Sequence, residues 1–77
     1  MRRTDPGRVK LAALLRKLRL DAGLRQADVA QRLSEPQSFV SKYESGEQRL
    51  DLIELKRVCE ALGTTLLAIV NRFESDE

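Results

Sequence analysis

A chain of 77 residues carries enough apolar side chains for one core and not for two, so it reads as a single domain over 1–77. Its 42% hydrophobic and 34% charged residues are the balance of a globular protein, which excludes disorder, and its longest apolar runs, 11–15 and 66–70, fall far short of the roughly 20 residues of a membrane-spanning helix. The net charge of +2 is unevenly placed: residues 1–25 hold eight Lys/Arg against two Asp, and residues 26–77 hold six against ten acidic side chains, so a basic surface is expected near the N-terminus.

The opening MRRTDPG has no apolar stretch of the signal-peptide kind and predicts a flexible basic arm over 1–7; a cytoplasmic protein is expected. A first helix follows over 8–22, where Leu11, Leu15, Leu18 and Ala22 recur at three- and four-residue spacing and Gly23 supplies the stop. The second, over 26–33, directs Ala27, Val29, Ala30 and Leu33 inward and is too short to stand without tertiary packing. Pro36, which tolerates a helix start but not a helix interior, precedes a third helix over 37–45 that ends at Gly46. A fourth opens on the capping-box-like pair Asp51 and Glu54, presents Leu52, Leu55, Val58, Cys59 and Leu62, and stops at Gly63. Thr65 caps a last helix over 66–74, leaving 75–77 as a frayed tail. The fold class is therefore all-α, a compact five-helix bundle.

The second and third helices form the informative pair, two short helices joined by Ser34-Glu35-Pro36. A link this short forces a steep crossing, which the small Ala30 permits and Val29, Leu33, Val40 and Tyr43 close. At about 100° per residue, Gln37, Ser41, Ser38 and Lys42 fall within about 140° of one another while Phe39, Tyr43 and Val40 occupy the opposite side. Taken alone, this polar side is either the solvated face of an ordinary amphipathic helix or a surface for base edges, where glutamine can pair bidentately with adenine, lysine can donate to guanine and serine can serve several bases.

The segment QADVAQRLSEPQSFVSKYESG (26–46), with LRKLR (15–19) before it and Leu52, Leu55 and Ala61-Leu62-Gly63 after it, resembles the helix-turn-helix of the phage repressor and Cro-like (XRE-type) family of bacterial regulators, over about 11–70. The resemblance implies the lambda-repressor-like form of the five-helix fold and a homodimeric transcriptional repressor that binds double-stranded DNA at an inverted-repeat operator, with the third helix in the major groove. It implies base reading by Gln37, Ser38 and Lys42, with Ser41 beside them. Phosphate contacts are implied for Gln26, at a helix N-terminus, and for Ser45, Gly46 and Arg49 in the loop after the reader. It also implies a bridge between Arg19 and Glu44.

Two positions depart from the family pattern. Arg25 stands where a capping Ser or Thr is usual; Asp28 offsets the loss through the helix dipole, and Arg25 is itself a phosphate-contact candidate. Ser34 stands where Gly usually adopts a left-handed conformation, which implies either an altered turn or strain of order 1 kcal/mol.

Leu14, Leu20, Ile53, Leu67 and Phe73 exceed what one small core needs, and Leu67 and Phe73 on the last helix are the expected dimer contacts. Cys59, on the inward stripe of the fourth helix, reads as a core side chain. The chain has no histidine, a single cysteine and no glycine-rich phosphate loop, so neither enzyme chemistry nor a metal or cofactor is expected. The competing reading is a protein-interaction module, such as an antitoxin that holds a toxin and whose DNA binding is autoregulatory.

Overall fold

In the computed structural model, which describes residues 5–75, the described residues form five helices and no strand: α1 (Pro6–Asp21), α2 (Gln26–Leu33), α3 (Gln37–Ser45), α4 (Leu52–Ala61) and α5 (Leu66–Ser75). The helices pack around one core into a body of 31 × 27 × 22 Å.

The first helix begins earlier than the sequence pattern predicts. Asp5 is extended and its Oδ1 accepts the Gly7 N–H at 3.0 Å, while Pro6 takes the first helical position, where a missing N–H leaves no bond unmade. Asp5-Pro6-Gly7 is thus a helix start and not the end of an arm; residues 1–4 of the expected arm lie outside the described residues. At the other end Ser75 belongs to α5 instead of a frayed tail, and Asp76 and Glu77 lie outside the described residues.

The core is built from Leu15 of α1, Val29, Ala30 and Leu33 of α2, Val40 and Tyr43 of α3, Val58, Cys59 and Ala61 of α4 with Leu62 after it, and Ile69 of α5. Each large aliphatic side chain fully buried here contributes about 1.5–3 kcal/mol. Phe39 meets the edge of Tyr43 with ring centroids 5.6 Å apart at 78°. Burial drives the Cys59 thiol pKa up, which suits a core side chain.

Three expected core positions are exposed: Ala22, Ala27 and Leu52. Ala22 is the C-cap of α1, beyond its last core turn. Ala27 and Leu52 sit in the first turns of α2 and α4, to the side of the stripes set by Val29, Ala30 and Leu33 and by Val58 and Cys59. A two-turn helix offers too few repeats to fix the centre of its apolar stripe.

The caps explain why the short helices hold. Asp51 and Glu54 form a reciprocal capping box, with Glu54 N donating to Asp51 Oδ1 at 2.7 Å and Asp51 N to Glu54 Oε1 at 2.9 Å. Thr65 Oγ1 accepts the Ala68 N–H at 3.1 Å at the start of α5. α2 and α4 cap one another: Arg32 donates to the Ala61 carbonyl and Arg57 to the Leu33 carbonyl, each at 2.7 Å. Two helix C-termini are thereby satisfied by cations, the sign their dipoles favour.

Candidate nucleic-acid interface

α3 exposes one polar face. Gln37, Ser38, Ser41 and Lys42 are all exposed, whereas Val40 and Tyr43 on the other side are buried. Only Gln37 of these four has a side-chain hydrogen bond within the described chain, so the hydroxyls of Ser38 and Ser41 and the ammonium of Lys42 remain available to an external acceptor or donor. Pro36, extended at φ −68°, ψ 155°, launches the helix, and Gly46 ends it at φ 84°.

Behind this face lies a polar chain. Gln37 Nε2 donates to Gln26 Oε1 at 3.4 Å, and Gln26 Nε2 donates to Glu44 Oε1 at 3.1 Å. Glu44 in turn accepts from Arg19 twice, Nε to Oε2 at 2.7 Å and Nη2 to Oε1 at 2.9 Å. Arg19 Nη1 donates to the Leu24 carbonyl at 2.9 Å. The Arg19 and Glu44 side chains are 9% and 3% exposed, so this bidentate pair is a buried one that fixes α1 against the end of α3. The hydrogen bonds that Arg19 donates to Glu44, together with the charge of that carboxylate, outweigh burial and hold the Arg19 pKa above its ordinary value.

The N-terminus of α2 solves its capping problem from the far side. Arg25 offers no acceptor, but Asp28 Oδ2 reaches back to the Arg25 N–H at 2.8 Å, the second half of a capping box without the first. The Arg25 guanidinium lies along the same carboxylate, Nη2 to Oδ1 at 2.7 Å. Asp28 therefore compensates through hydrogen bonds and not only through the helix dipole. These bonds depress its pKa to about 2, the Arg25 side chain contributing most and the Arg25 backbone N–H next. At the other end of α2, Ser34 adopts the left-handed conformation usual for glycine there, φ 58°, ψ 42°, so the turn is kept and the side chain bears the strain.

At the end of α3, Ser45 Oγ donates to the Lys42 carbonyl at 2.9 Å and accepts the Glu47 N–H at 3.3 Å, so its hydroxyl braces the turn into the following loop. Arg49 is exposed and has no ion-pair or hydrogen-bond partner among the described residues. Arg8 of α1 also reaches this loop, Nε donating to the Gly46 carbonyl at 3.1 Å. Sequence reasoning missed Arg8; its only signal was the local excess of basic residues, since a contact spanning 38 positions leaves no spacing to read.

The two residues expected at a dimer surface differ in setting. Leu67 is 71% exposed, with Ile53 at 67% on α4 and Val70 at 43% on α5. Phe73 is half-buried with Lys10 Nζ 4.6 Å from its ring centroid, and it borders an apolar groove of about 280 Å³ with Leu11, Leu55, Ile69 and Val70. No cluster of three or more His, Cys, Asp or Glu side chains that could hold a metal occurs among the described residues.

A family profile described as helix-turn-helix matches residues 15–69. Among solved structures, an XRE-family like protein from Pseudomonas syringae pv. tomato is 41% identical, with 91% of this chain and 85% of that chain covered and a TM-score of 0.85. The clp gene regulator ClgR from Corynebacterium glutamicum is 25% identical, with 96% of each chain covered and a TM-score of 0.83. The restriction-modification controller protein C.Esp1396I, solved as a tetramer in complex with its natural 35 base-pair operator, shares the fold at a TM-score of 0.87 and 18% identity, covering 94% of this chain and 95% of that one. Comparison with curated proteins gives no match.

Proposed function

The chain belongs to the helix-turn-helix family of DNA-binding transcription regulators, XRE type, and we propose that it is a homodimeric repressor that recognises an inverted-repeat operator through α3. The observation that carries this reading is the exposed face of α3, on which Ser38, Ser41 and Lys42 have no side-chain partner among the described residues and Gln37 is backed by Gln26. Gln37, Ser38, Ser41 and Lys42 read base edges in the major groove. Gln26, Arg25 and Arg49 hold the flanking phosphates and set the register, while Ser45 and Gly46, whose hydroxyl and N–H are spent on carbonyls of α3, shape the turn that presents Arg49.

A single two-and-a-half-turn reader spans too few base pairs to select a site, and a two-fold pair of readers requires half-sites about 34 Å apart. The exposed Leu67 and the half-buried Phe73 of α5 support a dimer contact on that helix. C.Esp1396I, which shares this fold, was solved as a tetramer with its natural 35 base-pair operator, and that likeness supports an oligomer on DNA. A dimer seated on its operator excludes polymerase from the same DNA, which gives repression as the output, and its place of action is the cytoplasm. No helix among the described residues is long and apolar enough to cross a membrane.

Selection of bound fragments from a random duplex library, with analytical ultracentrifugation of the free and bound protein, tests the proposal. An enriched inverted repeat and a dimer on DNA support it. A strict monomer, free and bound, contradicts it.

A further inference from the structure

Arg8 occupies the first turn of α1, half-buried, and its Nε is committed to the Gly46 carbonyl at 3.1 Å. Its Nη1 and Nη2 groups have no hydrogen-bond partner among the described residues. The bond therefore fixes the guanidinium plane against the turn that ends α3 and leaves the outer edge, with its fork of donors, unsatisfied. Arg8 shares the wall of a small cleft with Arg49, Tyr43 and Gln48, and no carboxylate lines it. Glu47, the adjacent acid, is exposed and forms no ion pair with either arginine. Apart from the neighbours of Gly46 in the turn, no described residue lies within 4 Å of where a Cβ on it would stand, so the turn is open to an approaching group.

We propose that Arg8 and Arg49 together form a phosphodiester clamp across the Gly46 turn, with Arg8 as a DNA-backbone contact delivered from α1. Two like charges beside one cleft, without an acid in its wall, match an anion in a way neither matches alone. The cleft itself, about 20 Å³, holds little more than a water molecule, so the anion sits at its mouth, as a phosphate of a continuous backbone does and a sequestered small ion does not. Because the Gly46 carbonyl positions Arg8, the clamp is pre-formed on the loop that follows the reading helix, and it joins α1 to the register of α3.

This inference rests on the DNA-binding reading above, and the test separates the two. Arg8→Gln keeps a donor for the Gly46 carbonyl and removes the charge; Arg8→Lys keeps the charge and loses the fork. Binding of each variant, of Arg49→Ala and of the unsubstituted chain is measured against a duplex selected by that chain and against a random duplex, across a range of salt concentrations, together with thermal melts. Arg8→Gln is expected to weaken both duplexes by the same factor and to lower the slope of log affinity against log salt by about 0.9 per protomer, as Arg49→Ala does, with Arg8→Lys restoring the slope. An unchanged slope in Arg8→Gln beside a lowered one in Arg49→Ala overturns the Arg8 contact alone, leaving Arg8 a brace for the turn. An unchanged slope in both overturns the phosphate role of the whole loop.

Discussion

Gln37 and Gln26 are joined through their side-chain amides, Nε2 of Gln37 donating to Oε1 of Gln26 at 3.4 Å, so the first residue of the proposed reader is oriented by the first residue of the preceding helix. Gln26 is held in turn by Glu44. If this chain presets Gln37 for a base, the two substitutions Gln26→Ala and Gln37→Ala will not add in DNA affinity. A double-mutant cycle on operator binding is expected to give an interaction energy above about 0.5 kcal/mol, with Gln26→Ala relaxing base preference at the pair Gln37 reads; additivity within error would detach the two side chains.

The Arg19–Glu44 pair anchors the same chain to α1. Glu44→Ala leaves an almost fully buried guanidinium with only the Leu24 carbonyl, and it is expected to destabilise the fold by about 3–5 kcal/mol. An exposed pair would lose under about 1 kcal/mol. Melts of Arg19→Met, Glu44→Ala and the double substitution should show the double variant less damaged than the sum of the singles.

The boundaries of α2 and α3 were legible in the sequence because Pro36, Gly46 and the break at Ser34 act on the backbone directly, whatever the rest of the chain does. The polar and apolar sides of α3 were legible for a related reason, since its buried Val40 and Tyr43 lie on one helical period. The start of α1 was misread because Asp-Pro-Gly signals a turn and a capped helix equally well; the Asp5 bond to Gly7 decides between them. Contacts between distant arginines and backbone carbonyls, Arg8 to Gly46, Arg32 to Ala61 and Arg57 to Leu33, follow no spacing rule and became visible only in three dimensions. The resemblance to a known family named phosphate-side residues on α2 and the loop but not Arg8, which comes from a different helix.

Acid should weaken the N-terminus of α2 through Asp28. Its carboxyl titrates in the folded chain at about 2, below an ordinary 3.8, because Arg25 donates to the ionised form through its side chain and its backbone N–H. The ionised group therefore stabilises the fold at pH values above its ordinary pKa, and this contribution is lost as pH falls from there through about 2. Asp28→Asn is expected to be the less stable protein at neutral pH, with the difference closing over that acid window in denaturant titrations at stepped pH. A gap that stays constant through the window would count against the carboxylate.

Ser34 holds a left-handed backbone that a side chain disfavours by about 1–2 kcal/mol, while glycine adds about 0.5–1 kcal/mol of backbone entropy to lose on folding. Ser34→Gly should accordingly raise stability by about 0.5–1 kcal/mol and leave DNA affinity unchanged, because Ser34 has no side-chain bond to give up among the described residues. Chemical denaturation and a binding isotherm on the same preparation check both halves.

The central claim is that α3 reads and the loop after it holds, and the most direct measurement compares Gln37→Ala and Lys42→Ala with Arg49→Ala on a selected operator, its single-base variants and random DNA at two salt concentrations. The first two substitutions are expected to cost about 1–3 kcal/mol on the operator and to flatten preference at particular base pairs. Arg49→Ala is expected to weaken every sequence nearly equally and to reduce the salt dependence by about one charge per protomer. If Gln37→Ala and Lys42→Ala remain folded and keep the full base preference of the unsubstituted chain, α3 is not the reader and the account is wrong.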